Sequence, residues 1–483
     1  MSRGEALVAV AVTVAVLALV AADVTPLVRG PAPYPPEWQW GYDPKAAWHR
    51  LGPAVACLAG LLGLIACAGR TRRHGLVLAG ATLAGAGLQL SLLQLEPDGA
   101  VAELVRRTAS GSFTSYLTAA ASGPGRDPLR FVAHHDELLA GLRKGTPHAA
   151  THPPGPVLFY GGLIGLAERW AGLRGLAGTI LGRVDPDPAP GLTPAARAAA
   201  LLGPVLLGLL GAAACWPVRA LVLALTDDAV GAVRTGVLWT LVPGLVLMVP
   251  ELDQALALPV AGAAAALAGA LRTTAPARAS RDALLAGLLA GVAGFFSYGA
   301  VLLVAVAGVA CLALAAEGLP SRRPVRLVAL ASGAAAAAIV APMAAGYDPF
   351  RSLPAALAIH RELFTARRAY APWLVFNAWD LLLFLGPPVA ALGLWRAGRA
   401  LRAGRSGTAL RADAFRAALL VALAALLLTG VVRGEMGRIL VPLMPVLLAG
   451  AVVAPGPSGP AAGLLALLLF ATDVVLRITW RLP

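Results

Sequence analysis

Between residues 134 and 152 the chain carries His134, His135, His148 and His152 together with Asp136, Glu137 and Lys144. A carboxylate set beside a substrate hydroxyl acts as a general base, and imidazoles with an ammonium group can hold a phosphate or another anion. Asp136 and Glu137 are neighbours on one helix, where successive side chains point ~100° apart, so one of them faces any given site and Asp136 is the first choice. The segment closes on Thr151-His152-Pro153-Pro154-Gly155-Pro156. Prolines at a helix start fix φ and lack N–H groups that would be unpaired there anyway, so the plain alternative is a helix start flanked by histidines with no further role. The histidines show no H-E-x-x-H spacing, which argues against a zinc hydrolase.

The elements that must position these groups are set by composition. The chain has 483 residues, of which 58% are hydrophobic and 13% charged; an average soluble protein has roughly 25% charged residues. Nearly uncharged runs recur from end to end, each long enough at about 1.5 Å per residue to cross most of a ~30 Å hydrocarbon core. Only helices satisfy their own backbone within such runs. An all-α polytopic membrane protein of about 11 to 13 spans is therefore expected, the first at residues 5 to 22 as an uncleaved anchor. Cys57, Cys67, Cys215 and Cys311 lie inside apolar segments without C-x-x-C spacing, as small buried hydrophobes do.

Arginines cluster in short connections: Arg70, Arg72 and Arg73; Arg272, Arg278 and Arg281; Arg322, Arg323 and Arg326; and six between Arg396 and Arg416. By the positive-inside rule these face the cytoplasm. The opposite, outer face then collects residues 23–51, 96–153, the turn from Pro250 to Gln254 with Asp253 in it, 347–373, and Arg433 to Arg438. Between 169 and 234 the parity stays open. The net charge of +14 is explained by these arginines meeting anionic lipid heads, and no basic face with interleaved aromatics points to nucleic acid. Spans nearly free of charge, with ionisable groups gathered in outer loops, suit chemistry at the membrane surface better than transport through the midplane.

Within the loop 96–153, an amphipathic helix is expected near 100–108 and a second begins at Asp127-Pro128, with Asp127 as its N-cap. That second helix carries Asp136 and Glu137, and its apolar residues suit an interfacial position. An acidic pair on a juxtamembrane helix, followed by a basic residue, Pro-Pro and an aromatic-bearing helix (here Asp136, Glu137, His152, Pro153, Pro154 and Tyr160), resembles the GT-C membrane glycosyltransferases, among them protein O-mannosyltransferases and aminoarabinose transferases. Gly434-Glu435-Met436-Gly437-Arg438 before Pro442 and Pro445 is similar to a second motif of that superfamily. A weaker likeness covers Arg367, Arg368, Tyr370 and Trp373, with Asn377 and Asp380 following.

The resemblance implies a GT-C-like bundle with extracytoplasmic interfacial helices. It implies a multi-pass protein of the plasma (inner) membrane that moves a sugar from a polyprenyl-phosphate donor to a glycan, lipid or protein acceptor on the extracytoplasmic side, with inversion. Asp136 or Glu137 would be the base. Lys144, His148, His152, Arg433 and Arg438 would hold the donor phosphate, and Asp253, Glu435 and Tyr370 the sugar. Asp253 could equally cap its helix, and the two C-terminal arginines could equally snorkel to lipid heads. No resident cofactor or metal is implied, although a divalent cation bridging Asp136 and the donor phosphate is compatible with the residues.

In this chain two spans and an outer loop (23–51) come before the span that leads into the catalytic loop, whereas the superfamily usually has one span there in all, and the familiar D-x-D form is missing. That extra loop, running through Tyr34, Glu37, Trp38, Trp40 and Asp43, is the alternative catalytic loop, its aromatics suited to stacking on a sugar. Three segments result: 1–74 with the Trp-rich loop, 75–346 as the catalytic transmembrane module, and 347–483 with a further outer stretch. A flippase or transporter of lipid-linked sugars, and a non-catalytic envelope-assembly protein, are the readings from other classes.

Overall fold

The computed structural model describes residues 1–482 except 34–35, 317–321, 366, 401–407 and 454–455. Among the described residues, nine helices are long and apolar enough to cross a membrane, or ten if one bent pair counts as a single span. The protein is thus a multi-pass, all-α membrane protein. Gly52–Ala68, with 17 residues, is a shorter apolar helix of the same bundle, and Thr408–Leu428 packs into it through buried Phe415 and Leu419. The first span, Arg3–Ala22, opens with a capping box in which Ser2 and Glu5 satisfy each other's backbone N–H. It packs along Pro387–Ala400 and Gly459–Thr479, so the segment 1–74 is locked against the segment 347–483. At the arginine-rich end Arg396 holds the buried Glu5 carboxylate at 3.0 Å.

The stretch between 169 and 234 resolves through packing. Pro194–Thr226 is one run of 33 residues, antiparallel to His74–Leu93. Gln89 donates to the Gly208 carbonyl at 3.2 Å in the half near Leu93, and Cys215 to that of Leu78 at 3.7 Å nearer His74. The helix after the prolines departs from the expected span. Gly155–Arg169 has 15 residues, breaks at Trp170 and continues as Ala171–Leu181. The two pack on Pro194–Ala213, and neither has the length of the nine candidate spans. Glu168, Arg169 and Arg174 interrupt the apolar sequence there, and their desolvation disfavours a buried span.

Tyr370–Leu385 and Pro387–Ala400 form the bent pair, meeting at 111°. The break is at Gly386, and the first limb lies among the polar loops. A two-stranded antiparallel ribbon pairs Gly41–Tyr42 with Trp480–Arg481. All loops bearing the candidate site residues gather at the end of the bundle opposite the arginine clusters.

Candidate functional site

Met436–Ile439 is a single helical turn, and Glu435 caps it in the left-handed region at φ 56°. The backbone reaches that geometry through Gly434 at φ 111°, where a side chain would strain the chain and strike Arg368. Asn377 fixes the approach: its amide donates to the Val432 carbonyl at 2.8 Å and accepts from the Gly434 N–H at 3.3 Å. Arg438 is thereby aimed at three carboxylates. It stands 2.8 Å from Glu435, 3.6 Å from Glu251 and 3.9 Å from Asp253. Glu251 and Asp253 come from the start of Leu252–Arg272, where polar residues at a helix N-terminus favour the macrodipole.

The electrostatics follow from enclosure. Burial pushes the Glu251 carboxyl up to about 7 against the pull of Arg438. For Glu435 burial acts upward too, but Arg438, His148 and Arg368 outweigh it and hold the carboxyl below its ordinary value. Burial would weaken the Arg438 guanidinium, and the carboxylates of Glu435, Glu251 and Asp253 more than reverse that.

His148 and His152 border the same space on the short turn Ala149–Thr151. The Nδ1 of His152 donates to the His148 carbonyl at 2.9 Å, which leaves Nε2 as an acceptor. Burial holds the His152 imidazole down to about 3 and that of His148 to about 4, with Arg438 adding to both. Both rings are therefore neutral near pH 7, so the positive charge bordering this space is carried by arginine.

Arg368 supplies a second cation, 3.9 Å from Glu435 and set between the rings of Trp38 and Trp373 at 6.0 and 5.8 Å. These groups open on a cavity of about 540 Å³. Its head is polar, with His148, His152, Asp253, Glu435, Arg438 and Arg368. Its flank is apolar, with Val301, Leu302, Ile339, Leu353, Leu357 and Leu426. Several of the flanking side chains, Val301, Leu302 and Leu353 among them, are also exposed at the bundle surface.

The expected residues divide sharply. Asp253, Glu435, Arg438, Arg433, His148 and His152 line the one cavity, drawn from segments far apart in sequence. Asp136 and Glu137 do not: His135–Leu142 turns them away, and exposed Glu137 faces His134 at 3.2 Å. Neither carboxylate is among the residues that line the cavity. Lys144 is exposed and outside the cavity lining, as is Tyr370, whose hydroxyl donates to the Leu428 carbonyl and whose ring carries Arg433 at 5.6 Å.

In the Trp-rich loop, buried Glu37 accepts from Trp373 Nε1 at 2.7 Å and from the Ala369 N–H at 2.8 Å. Trp40 Nε1 donates to Asp380 at 3.3 Å, and Asp43 is exposed. This loop braces Tyr370–Leu385 and Arg368 from behind; Tyr34 lies outside the described residues. Among the described residues no group of three or more His, Cys, Asp or Glu side chains is placed to hold a metal ion.

Sequence reasoning missed Glu251, His360, Tyr298 and Tyr347 as neighbours of the site. The Glu251-Leu-Asp253 spacing was a usable signal, since it sets two carboxylates beside a helix start; the other three carry none. No protein-family model, curated protein or solved structure matches the chain.

Proposed function

We propose that the chain is a membrane glycosyltransferase of the GT-C type, acting on a polyprenyl-phosphate-linked sugar at the extracytoplasmic face of the plasma membrane. The observation that carries this reading is the single cavity in which an arginine–carboxylate cluster meets an apolar flank, matching a substrate with a charged head and a lipid tail. Asp253 is the base: of the carboxylates lining the cavity it is the less tightly paired with Arg438, at 3.9 Å against 2.8 Å for Glu435. Its carboxylate takes the proton of the acceptor hydroxyl as the hydroxyl oxygen bonds to the anomeric carbon. The bond from that carbon to the phosphate oxygen breaks, its electron pair leaves with the lipid phosphate, and Arg438 and Arg368 stabilise the charge. His152 Nε2, unprotonated, accepts a hydrogen bond from a sugar hydroxyl. This assignment replaces Asp136 with Asp253, keeps Arg438 on the phosphate and puts Arg368 there in place of the histidines.

The test is transfer of radiolabelled sugar from polyprenyl-phosphate donors by membranes holding the full chain. Asp253→Asn is expected to lose at least about 10²-fold in rate, while Asp136→Asn keeps the wild-type rate. Equal rates in all three would overturn the site, and no transfer from any donor would overturn the reading.

A flippase of lipid-linked sugars is the second reading, favoured by the bent pair at Gly386 and by buried Asp380 and Asp473 among the helices. Passage of a fluorescent lipid-linked sugar across proteoliposomes, without transfer, would select it.

A further inference from the structure

At the arginine-rich end, far from the cavity described above, a separate cleft of about 430 Å³ opens between Gly52–Ala68 and the start of Gly459–Thr479. Its head is Arg234, half-buried in Ala229–Trp239. The guanidinium Nε and Nη1 donate to the carbonyls of Ile65 and Pro457 at 3.4 and 3.3 Å. Among the described residues no carboxylate lies within 4.0 Å of it, and Nη2 has no protein acceptor. Arg70, exposed, stands on the same rim. The helix Gly459–Thr479 begins there, so the positive end of a 21-residue dipole adds to the field.

The body of the cleft is shaped by missing side chains. A Cβ at Gly69 would come within 2.8 Å of Arg234 Nη2, and a Cβ at Gly463 would meet nothing within 4 Å. Leu62, Ile65 and Ala66 form the apolar wall. Beyond Gly463, one turn further along the helix, Leu467 is 48% exposed and faces outward from the bundle.

We propose that this cleft is a binding site for one anionic phospholipid of the adjacent leaflet, its phosphodiester on Arg234 and Arg70 and an acyl chain along the groove beside Gly463. A guanidinium with an unused N–H matches a phosphate oxygen, and a basic recess between spans is the physical form such sites take. Free phosphate would satisfy the arginines but leave the apolar wall bare, so the lipid is the fitting occupant. The lipid would add to the packing that already joins Gly52–Ala68, Ala229–Trp239 and Gly459–Thr479.

The experiment is thermal unfolding and native mass spectrometry of the purified full chain with phosphatidylglycerol, phosphatidylcholine or inorganic phosphate. Phosphatidylglycerol alone is expected to be retained and to raise the midpoint. Arg234→Gln should weaken retention about fivefold, the equivalent of one basic contact. Because Arg234 also holds two carbonyls, Gly463→Leu is the second variant: it fills open space, leaves both arginines in place and should abolish retention in a folded protein. Equal stabilisation by phosphatidylcholine, saturation of the same shift by inorganic phosphate, or undiminished phosphatidylglycerol on Gly463→Leu would each overturn the proposal.

Discussion

Arg438 faces Glu435, Glu251 and Asp253 at once, so replacing it leaves several carboxylates enclosed without their counter-charge. Arg438→Met is expected to destabilise the protein by about 3–5 kcal/mol, measured by unfolding in detergent, in addition to abolishing transfer. Arg438→Lys keeps the charge but loses the planar fork, and should cost activity more than stability. The titrating groups around it make opposite contributions to stability. His148 and His152 are neutral in the folded protein down to about 4 and 3 but take up protons near 6.5 when unfolded. Between those values the unfolded chain binds more protons, so stability falls as pH drops below about 6.5. Glu251 works the other way: folded, it holds its proton up to about 7 against an ordinary 4.5, so its contribution is full below 4.5 and fades as pH rises through 7. Glu251→Gln should flatten the alkaline side of the stability profile and His152→Asn the acid side, as read from unfolding midpoints between pH 4 and 8.

At the level of elements, the helix that starts with the two prolines is held by a close approach. A Cβ on Gly155 would lie 2.4 Å from the Phe295 carbonyl, with no flexible side chain to give way. Gly155→Ala is expected to push Gly155–Arg169 away from Pro276–Phe296 and carry His152 with it. Transfer should then drop at least about tenfold, with the charged groups intact, since positioning errors near 1 Å have that effect or greater. The Glu96 junction is a second test of elements. Arg477 reaches its carboxylate at 2.9 Å, Lys45 at 3.4 Å and Arg107 at 3.5 Å, joining the loop 43–51, Gly99–Ala109 and the last span. Glu96→Ala leaves those cations facing each other, and limited proteolysis of the loop 23–51 should accelerate.

These elements also show what the sequence could and could not convey. Apolar runs and arginine clusters marked the spans and their polar ends, because desolvation of charge acts on each segment separately. The cavity was half legible: Arg438, Glu435, Asp253, His148 and His152 were marked by residue type at a loop end. Asp136 misled because an acidic pair beside a membrane looks the same whether its helix presents it inward or outward, and that rotation is decided by Pro349–His360, which packs on His135–Leu142 through a His135–Ser352 contact of 3.1 Å. The Trp-rich loop misled similarly, since Glu37 meets Trp373 and Ala369 across hundreds of residues, a pairing no local pattern encodes.

For the whole molecule, the arginine clusters and the cavity lie at opposite ends of the bundle, so orientation is a single yes-or-no property. With the site on the extracytoplasmic side, a cysteine at the exposed position Lys144 should react with a membrane-impermeant thiol reagent in intact cells. One at Arg72 should react only after permeabilisation. The reverse pattern would place the cavity in the cytoplasm.

The short ribbon between Gly41–Tyr42 and Trp480–Arg481 sets an order of assembly. Lys45 also donates to the Arg477 and Trp480 carbonyls, and the Asp43 N–H to that of Thr479. The loop 23–51 therefore meets Glu96 and Trp373 first and gains its remaining partners only when Gly459–Thr479 has been made. At ~5–20 residues per second of synthesis the end of this loop at residues 41–45 waits for tens of seconds for those last contacts. Glu37 and Trp38 on that loop anchor Trp373 and flank Arg368, so the brace behind the site is fully tied down at its far end only by the last helix.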